Sequence, residues 1–125
     1  NILGTVSQSG GTPTGAIIER GSNANGEYVR FADGTQICWR DSLPATSPPD
    51  IAAGSIFRND GDTWTLPASF AGPASVGLCG AGANNRWVTH NSSGAESTVN
   101  VWMLCSTTSD TPTPYQGLYA FGRWF

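Results

Sequence analysis

Bulky and polar residues alternate one by one along most of this chain, and glycine or proline interrupts nearly every window in which a helix could start. No stretch of eleven or more residues keeps apolar positions at the i, i+3, i+4, i+7 spacing of a helix face. The segments "AIIER" (Ala16 to Arg20), "EYVRF", "TQICWR", "ASVGLC", "RWVTH", "STVNVWMLCS" and "GLYAFGRWF" all carry the two-residue period of strands. Eight or so short strands joined by Gly/Pro-rich turns predict an all-β chain, folded as an antiparallel β-sandwich.

Two Asp-Gly pairs set the expected hairpins. Asp33-Gly34 sits between "EYVRF" and "TQICWR", and a two-residue type I′ loop there pairs Val29 with Cys38, Tyr28 with Trp39 and Glu27 with Arg40. That register puts Tyr28, Arg30, Ile37 and Trp39 on one face and Val29, Phe31 and Cys38 on the other. Large apolar groups then occupy both faces, so the hairpin needs cover on both sides. Asp60-Gly61 predicts a second hairpin, pairing Arg58 with Thr63 and Phe57 with Trp64. Between them "DSLPATSPPD" (Asp41 to Asp50) reads as a loop. The chain ends on Trp124-Phe125, apolar enough to expect docking rather than a loose terminus.

A chain of 125 residues is the size of one domain. Its cations are six isolated arginines and its net charge is −3, which excludes the basic stripe that nucleic acid requires. No apolar run reaches the roughly 20 residues of a membrane span, so membrane insertion is not expected. Charged residues make up 12% of the chain, about half the usual share. Solubility must then come from Ser, Thr, Asn and Gln, or part of the surface must be hidden against copies of the chain. The start "NILGTVSQSGG" lacks a signal-peptide pattern and reads as a cut through a longer chain. Cys38, Cys79 and Cys105 are an odd number without metal-ligand spacing, and suit reduced, buried positions.

Reactive constellations are scarce, and the expectation is no enzyme, no catalytic residue, no metal and no cofactor. His90 is the single histidine, and one histidine at a strand end is more simply solvated than a general base. Asp60 and Asp62 in "NDGD" lack the other ligands of a calcium loop and are explained by turn chemistry. Asn91-Ser92-Ser93 matches a glycosylation acceptor, relevant only in a eukaryotic secreted protein. The unusual supply is aromatic and amide: Trp39, Trp64, Trp87, Trp102 and Trp124 with Tyr28, Tyr115, Tyr119 and Asn84, Asn85, Asn91 and Asn100. For any one tryptophan, packing in a core or subunit interface competes with stacking on a sugar ring. In "ANNRWVTHNSS" core packing explains least, and Asn85, Arg86, Trp87, His90 and Asn91 are the candidate glycan-binding residues.

The stretch "NILGTVSQSGGTPTGAIIERGSNANGEYVRFADGTQICWR", with its strand closing on Gln36-Ile37-Cys38-Trp39, and the later "TWTLPASF" (Thr63 to Phe70) carry a resemblance. They resemble the C-terminal domains of tail-fibre-like proteins of phages, prophages and gene-transfer-agent-like particles of alphaproteobacteria. The resemblance covers about two-thirds of the chain and leaves residues 80 to 115 unmatched, where receptor-reading loops are expected. It implies a homotrimeric module at the tip of a fibre or spike on a virion or phage-like particle, made in the bacterial cytoplasm. Residues 1–15 would link it to an upstream fibre shaft, and residues 16–125 would bind a bacterial surface polysaccharide, capsule or lipopolysaccharide. Two other readings stand beside this adhesin: a structural trimerisation cap, and a capsule depolymerase. The depolymerase needs a carboxylate pair at defined spacing, and the nine acidic residues supply none that is evident.

Overall fold

The computed structural model describes residues 1–78, 80–91 and 96–125; Cys79 and the Ser92 and Ser93 of the glycosylation match lie outside the described residues. Every regular element among the described residues is a strand: β1 (Gln8–Ser9), β2 (Thr12–Pro13), β3 (Ile18–Asn23), β4 (Gly26–Phe31), β5 (Thr35–Leu43), β6 (Ile51–Ala53), β7 (Ile56–Arg58), β8 (Asp62–Thr65), β9 (Ser75–Gly77), β10 (Arg86–Asn91), β11 (Thr98–Cys105) and β12 (Tyr115–Arg123). The first sheet runs β3-β4-β5-β12-β9. The second runs β10-β11-β7-β6, with β8 also paired to β11. All pairs in both sheets are antiparallel. The chain is therefore all-β and antiparallel, as the residue alternation predicts.

The two sheets share one core. Cys38, Leu43, Tyr115, Leu118 and Ala120 enter it from the first sheet, and Trp64, Val99, Val101 and Met103 from the second, with Leu66 and Phe70 from the connection between them. On β11 the odd-numbered residues Val99, Val101, Met103 and Cys105 are all fully buried, while Asn100, Trp102 and Leu104 point the other way. Each such aliphatic side chain contributes roughly 1.5–3 kcal/mol by leaving water.

The first hairpin forms, in a register one residue away from the expected one. Tyr28 lies opposite Cys38, Val29 opposite Ile37 and Glu27 opposite Trp39. The reason is the turn. Only Gly34 has a positive φ (102°), Asp33 does not, and the Gly34 N–H donates to the Phe31 carbonyl at 3.0 Å. That is a type I turn followed by a left-handed glycine, the three-residue alternative to a type I′ loop. One residue of slip exchanges faces. Tyr28, Arg30, Gln36 and Cys38 now face inward, with Gln36 and Cys38 fully buried, and Val29, Ile37 and Trp39 face outward together.

Buried Gln36 ties the neighbouring segment down. Its amide donates to the carbonyls of Ala68 and Ser69 at 3.2 and 3.0 Å, and its oxygen accepts from Arg30 Nε at 2.6 Å. The apolar C-terminus docks on the hairpin turn as expected. Trp124 donates its backbone N–H to Gly34 and its indole N–H to Phe31, at 2.9 and 2.8 Å.

The second expected hairpin does not form. β7 and β8 do not pair with each other; both lie alongside β11, with Arg58 opposite Leu104 and Asp62 opposite Val101. Three residues, Asn59 to Gly61, thus face two on β11, a β-bulge in one interrupted strand. The Asn59 side chain, fully buried, replaces the missing ladder: its Oδ1 accepts from the N–H of Met103 at 3.0 Å and of Gly61 at 3.1 Å. Its amide donates to the Tyr115 hydroxyl at 2.6 Å, and that hydroxyl donates to Asp62 Oδ2 at 2.7 Å. The hairpin partner of β7 is β6, across Gly54-Ser55.

Residues 1–15 carry local structure. Residues 2 to 4 run beside β3 through the bonds Ile18 to Ile2 and Gly4 to Ile18, at 2.8 and 3.0 Å. Val6 is buried, and β1 and β2 form a two-stranded ribbon.

Candidate functional site

Strand β10 carries four of the five candidate residues, and the period of a strand divides them. Arg86 and His90 lie opposite the buried Cys105 and Val101 and share their inward side; Trp87 and Asn91 lie opposite Leu104 and Asn100 on the outer face. Asn85 sits exposed in the turn that leads into β10. The stretch is therefore two groups rather than one cluster.

Of the inward pair, Arg86 has structural partners, while the buried His90 Nδ1 has no hydrogen-bond partner among the described residues. Arg86 donates from Nη1 to Thr113 Oγ1 at 3.0 Å and from Nη2 to Ser109 Oγ at 2.6 Å, which fastens the 106–114 connection to the sheet. Thr113 passes its own hydroxyl hydrogen on to the Ala81 carbonyl. His90 is half-buried, with Nδ1 shielded from solvent. Neither side chain points where a surface ligand would meet Trp87.

The outer face of the second sheet is built in rows across β10, β11 and β8. Trp87 stands beside Leu104, Thr89 beside Trp102, and Asn91 beside Asn100, which stands beside Thr63. Trp87 is 43% exposed. The Thr63 hydroxyl donates to Asn100 Oδ1 at 3.0 Å, leaving the amide nitrogen as the outward donor. Indoles, amides and hydroxyls alternate over this face. Thr89 lies on β10 itself; Thr63, Asn100 and Trp102 join the face only because β11 pairs with β10 and β8 with β11. Trp102 and Asn100 stand out in the sequence as part of its aromatic and amide supply; their adjacency to Trp87 depends on the register.

The outer face of the first sheet is chemically different. Val29, Ile37 and Phe121 form one row, and Trp39 and Tyr119 the next. Tyr119 and Phe121 remain 41% and 50% exposed. The Arg20 guanidinium lies 5.3 Å from the Trp39 ring centre and pairs with Glu27 at 2.7 Å, edging an otherwise apolar surface. Isolated chains seldom leave a contiguous aromatic patch of this kind uncovered.

Among the described residues no three His, Cys, Asp or Glu side chains are placed to hold a metal ion. Both oxygens of Asp62 already accept bonds, from Thr46 and from Tyr115. Burial, with the Asp62 carboxylate beside it, pushes the Tyr115 phenol upward, and burial raises the Cys38 thiol to about 11. Cys38 and Cys105 are free and buried, the state expected of them. No helix among the described residues is long and apolar enough to cross a membrane.

Compared with known proteins, the chain matches no family model, no curated protein and no solved structure. What its geometry defines is an antiparallel all-β domain with two unlike outer faces, one aromatic and apolar, the other an array of indoles and amides.

Proposed function

We propose that this chain is a host-recognition domain of a phage or phage-like particle fibre. It folds as a β-sandwich, stands at the distal tip of a fibre or spike, and binds a bacterial surface polysaccharide non-covalently. The observation that carries this reading is the contrast between the two outer faces. The face bearing Trp87, Thr89, Asn91, Asn100 and Trp102 offers indole surfaces for the C–H side of sugar rings, with amides and hydroxyls for their hydroxyl groups. The face bearing Val29, Ile37, Trp39, Tyr119 and Phe121 is suited to other copies of the chain, in keeping with a homotrimer. Shallow sugar sites are weak singly, and three copies on one particle add through avidity.

The residues of the proposed site narrow to Trp87 and Asn91, with Thr89, Asn100 and Trp102 beside them. Arg86 and His90 support the strand from beneath. A purely structural cap would instead bury the Trp87 indole between subunits.

The test is retention of host capsule or lipopolysaccharide by the purified chain, with Trp87→Ala alongside. Binding should weaken at least tenfold, about 1.4 kcal/mol. Equal binding by the two proteins refutes the assignment of Trp87. A Phe121→Glu variant should lower the solution mass to that of a single chain; an unchanged mass refutes the interface.

A further inference from the structure

We infer that the depression between the Asn59–Gly61 bulge and strand β11 is a subsite for one neutral or N-acetylated hexopyranose ring. This inference rests on the glycan-binding reading and gives it a place and a sugar class. The depression is about 140 Å³ and is lined by Asp60, Gly61, Asp62, Thr63, Asn100 and Trp102. That is the space of roughly five waters, enough to seat a single ring.

The bulge makes the floor. Gly61 has a φ of 93°, and a Cβ there would stand 2.6 Å from Trp102 Nε1, 3.0 Å from Cδ1 and 3.1 Å from Cε2. Three atoms of the five-membered ring at similar distance mean that the indole lies across the glycine. No other residue leaves it that room. The indole is thereby held as a wall of the depression, half-buried and unable to fold away.

Polar groups line the rest of the depression, and their bonding decides which are available. Asp62 is committed to Thr46 and Tyr115. Thr63 orients the Asn100 amide, whose nitrogen is left as a donor. Asp60 is anchored through its backbone N–H to Ser47 Oγ at 3.0 Å, and its exposed carboxylate is left as an acceptor. A carboxylate and an amide beside a fixed indole match adjacent ring hydroxyls and the C–H face of one pyranose. Two neighbouring carboxylates repel uronic and sialic acids, so the class is uncharged.

The test is saturation-transfer NMR on the whole chain with three groups of probes. These are methyl glucoside, galactoside and mannoside; N-acetylglucosamine and N-acetylgalactosamine; and methyl glucuronide with galacturonic acid. At least one neutral or N-acetylated probe should show contact through its C–H face, and the acidic probes none. Trp102→Ala should abolish that contact, Trp102→Phe should keep part of it, and Asp60→Asn should admit the acidic probes. No neutral probe binding, acidic probes binding the unaltered chain, or contact unchanged in Trp102→Ala would each overturn the subsite. If Trp102→Ala retains host polysaccharide as tightly as the unaltered chain, the subsite falls and the adhesin reading stands. If the unaltered chain retains none, both fall. Asp60→Asn perturbs an exposed side chain, so its probe selectivity reads the subsite even if Trp102→Ala fails to fold.

Discussion

Replacing Asn59 with alanine should destabilise the fold more than its single side chain suggests. The asparagine closes four groups at once: the N–H of Met103 and of Gly61, the Tyr115 hydroxyl and, at 3.5 Å, the Ser47 carbonyl. The Met103 N–H lies in the fully buried middle of β11, where no water replaces the lost acceptor. Leaving it unsatisfied costs roughly 1–3 kcal/mol, and the loss of the bond to Tyr115 roughly another 0.5–1.5. A total of about 1.5–4.5 kcal/mol is a large share of the roughly 5–15 kcal/mol that holds a domain together. In urea, followed by tryptophan fluorescence at fixed protein concentration, the midpoint should fall by roughly 1–2 M with little change of slope. Tyr115→Phe should cost less, and the double variant less than the sum, because both changes remove the same 2.6 Å bond. A loss below about 1 kcal/mol for Asn59→Ala would refute the claim that this side chain replaces the ladder at the bulge.

Three further outcomes follow from Cys38 and Arg86. The Cys38 thiol, raised to about 11 by burial, should resist iodoacetamide in the native state at pH 8 and react only as fast as the chain opens. Its folded pKa lies above its unfolded one, so the stability it contributes is complete below about pH 9 and is lost as pH rises toward 11; Cys38→Ala should flatten that part of the alkaline decline. Arg86→Gln should loosen the 106–114 connection and expose it to proteolysis there, while polysaccharide retention stays unchanged. Lost retention with an intact connection would return Arg86 to the binding site.

The alternation of side chains made the strands legible, and "RWVTH", "STVNVWMLCS" and "GLYAFGRWF" fall on β10, β11 and β12. Register was not legible at Asp33-Gly34, because that dipeptide suits both a two-residue loop and a type I turn ending on glycine. The choice is made by the C-terminus, where Arg123 donates to the Asp33 carbonyl at 2.8 Å and Trp124 bonds Gly34, contacts some ninety residues away in the chain. At "NDGD" the turn chemistry is genuine, but the segment is a bulge, since β11 is the better partner for both flanks. The candidate site suffered from the same cause. Adjacent residues in a strand face opposite ways, so a run of attractive side chains marks a place in the chain before it marks a surface. Trp102 and Asn100 reached that surface only through pairing with β10 and β8.

Strands β11 and β12 are each interior to their sheet, β11 between β10 and the β7–β8 line, β12 between β5 and β9. Both come from the last third of the sequence. During synthesis neither layer can close until these two segments have left the ribosome, and each must then find neighbours tens of residues behind it. Such non-local closure places folding toward the slow, roughly millisecond-to-second end of the scale. Until then β5 and β7 present open hydrogen-bonding edges, so nascent copies emerging side by side are apt to cross-pair.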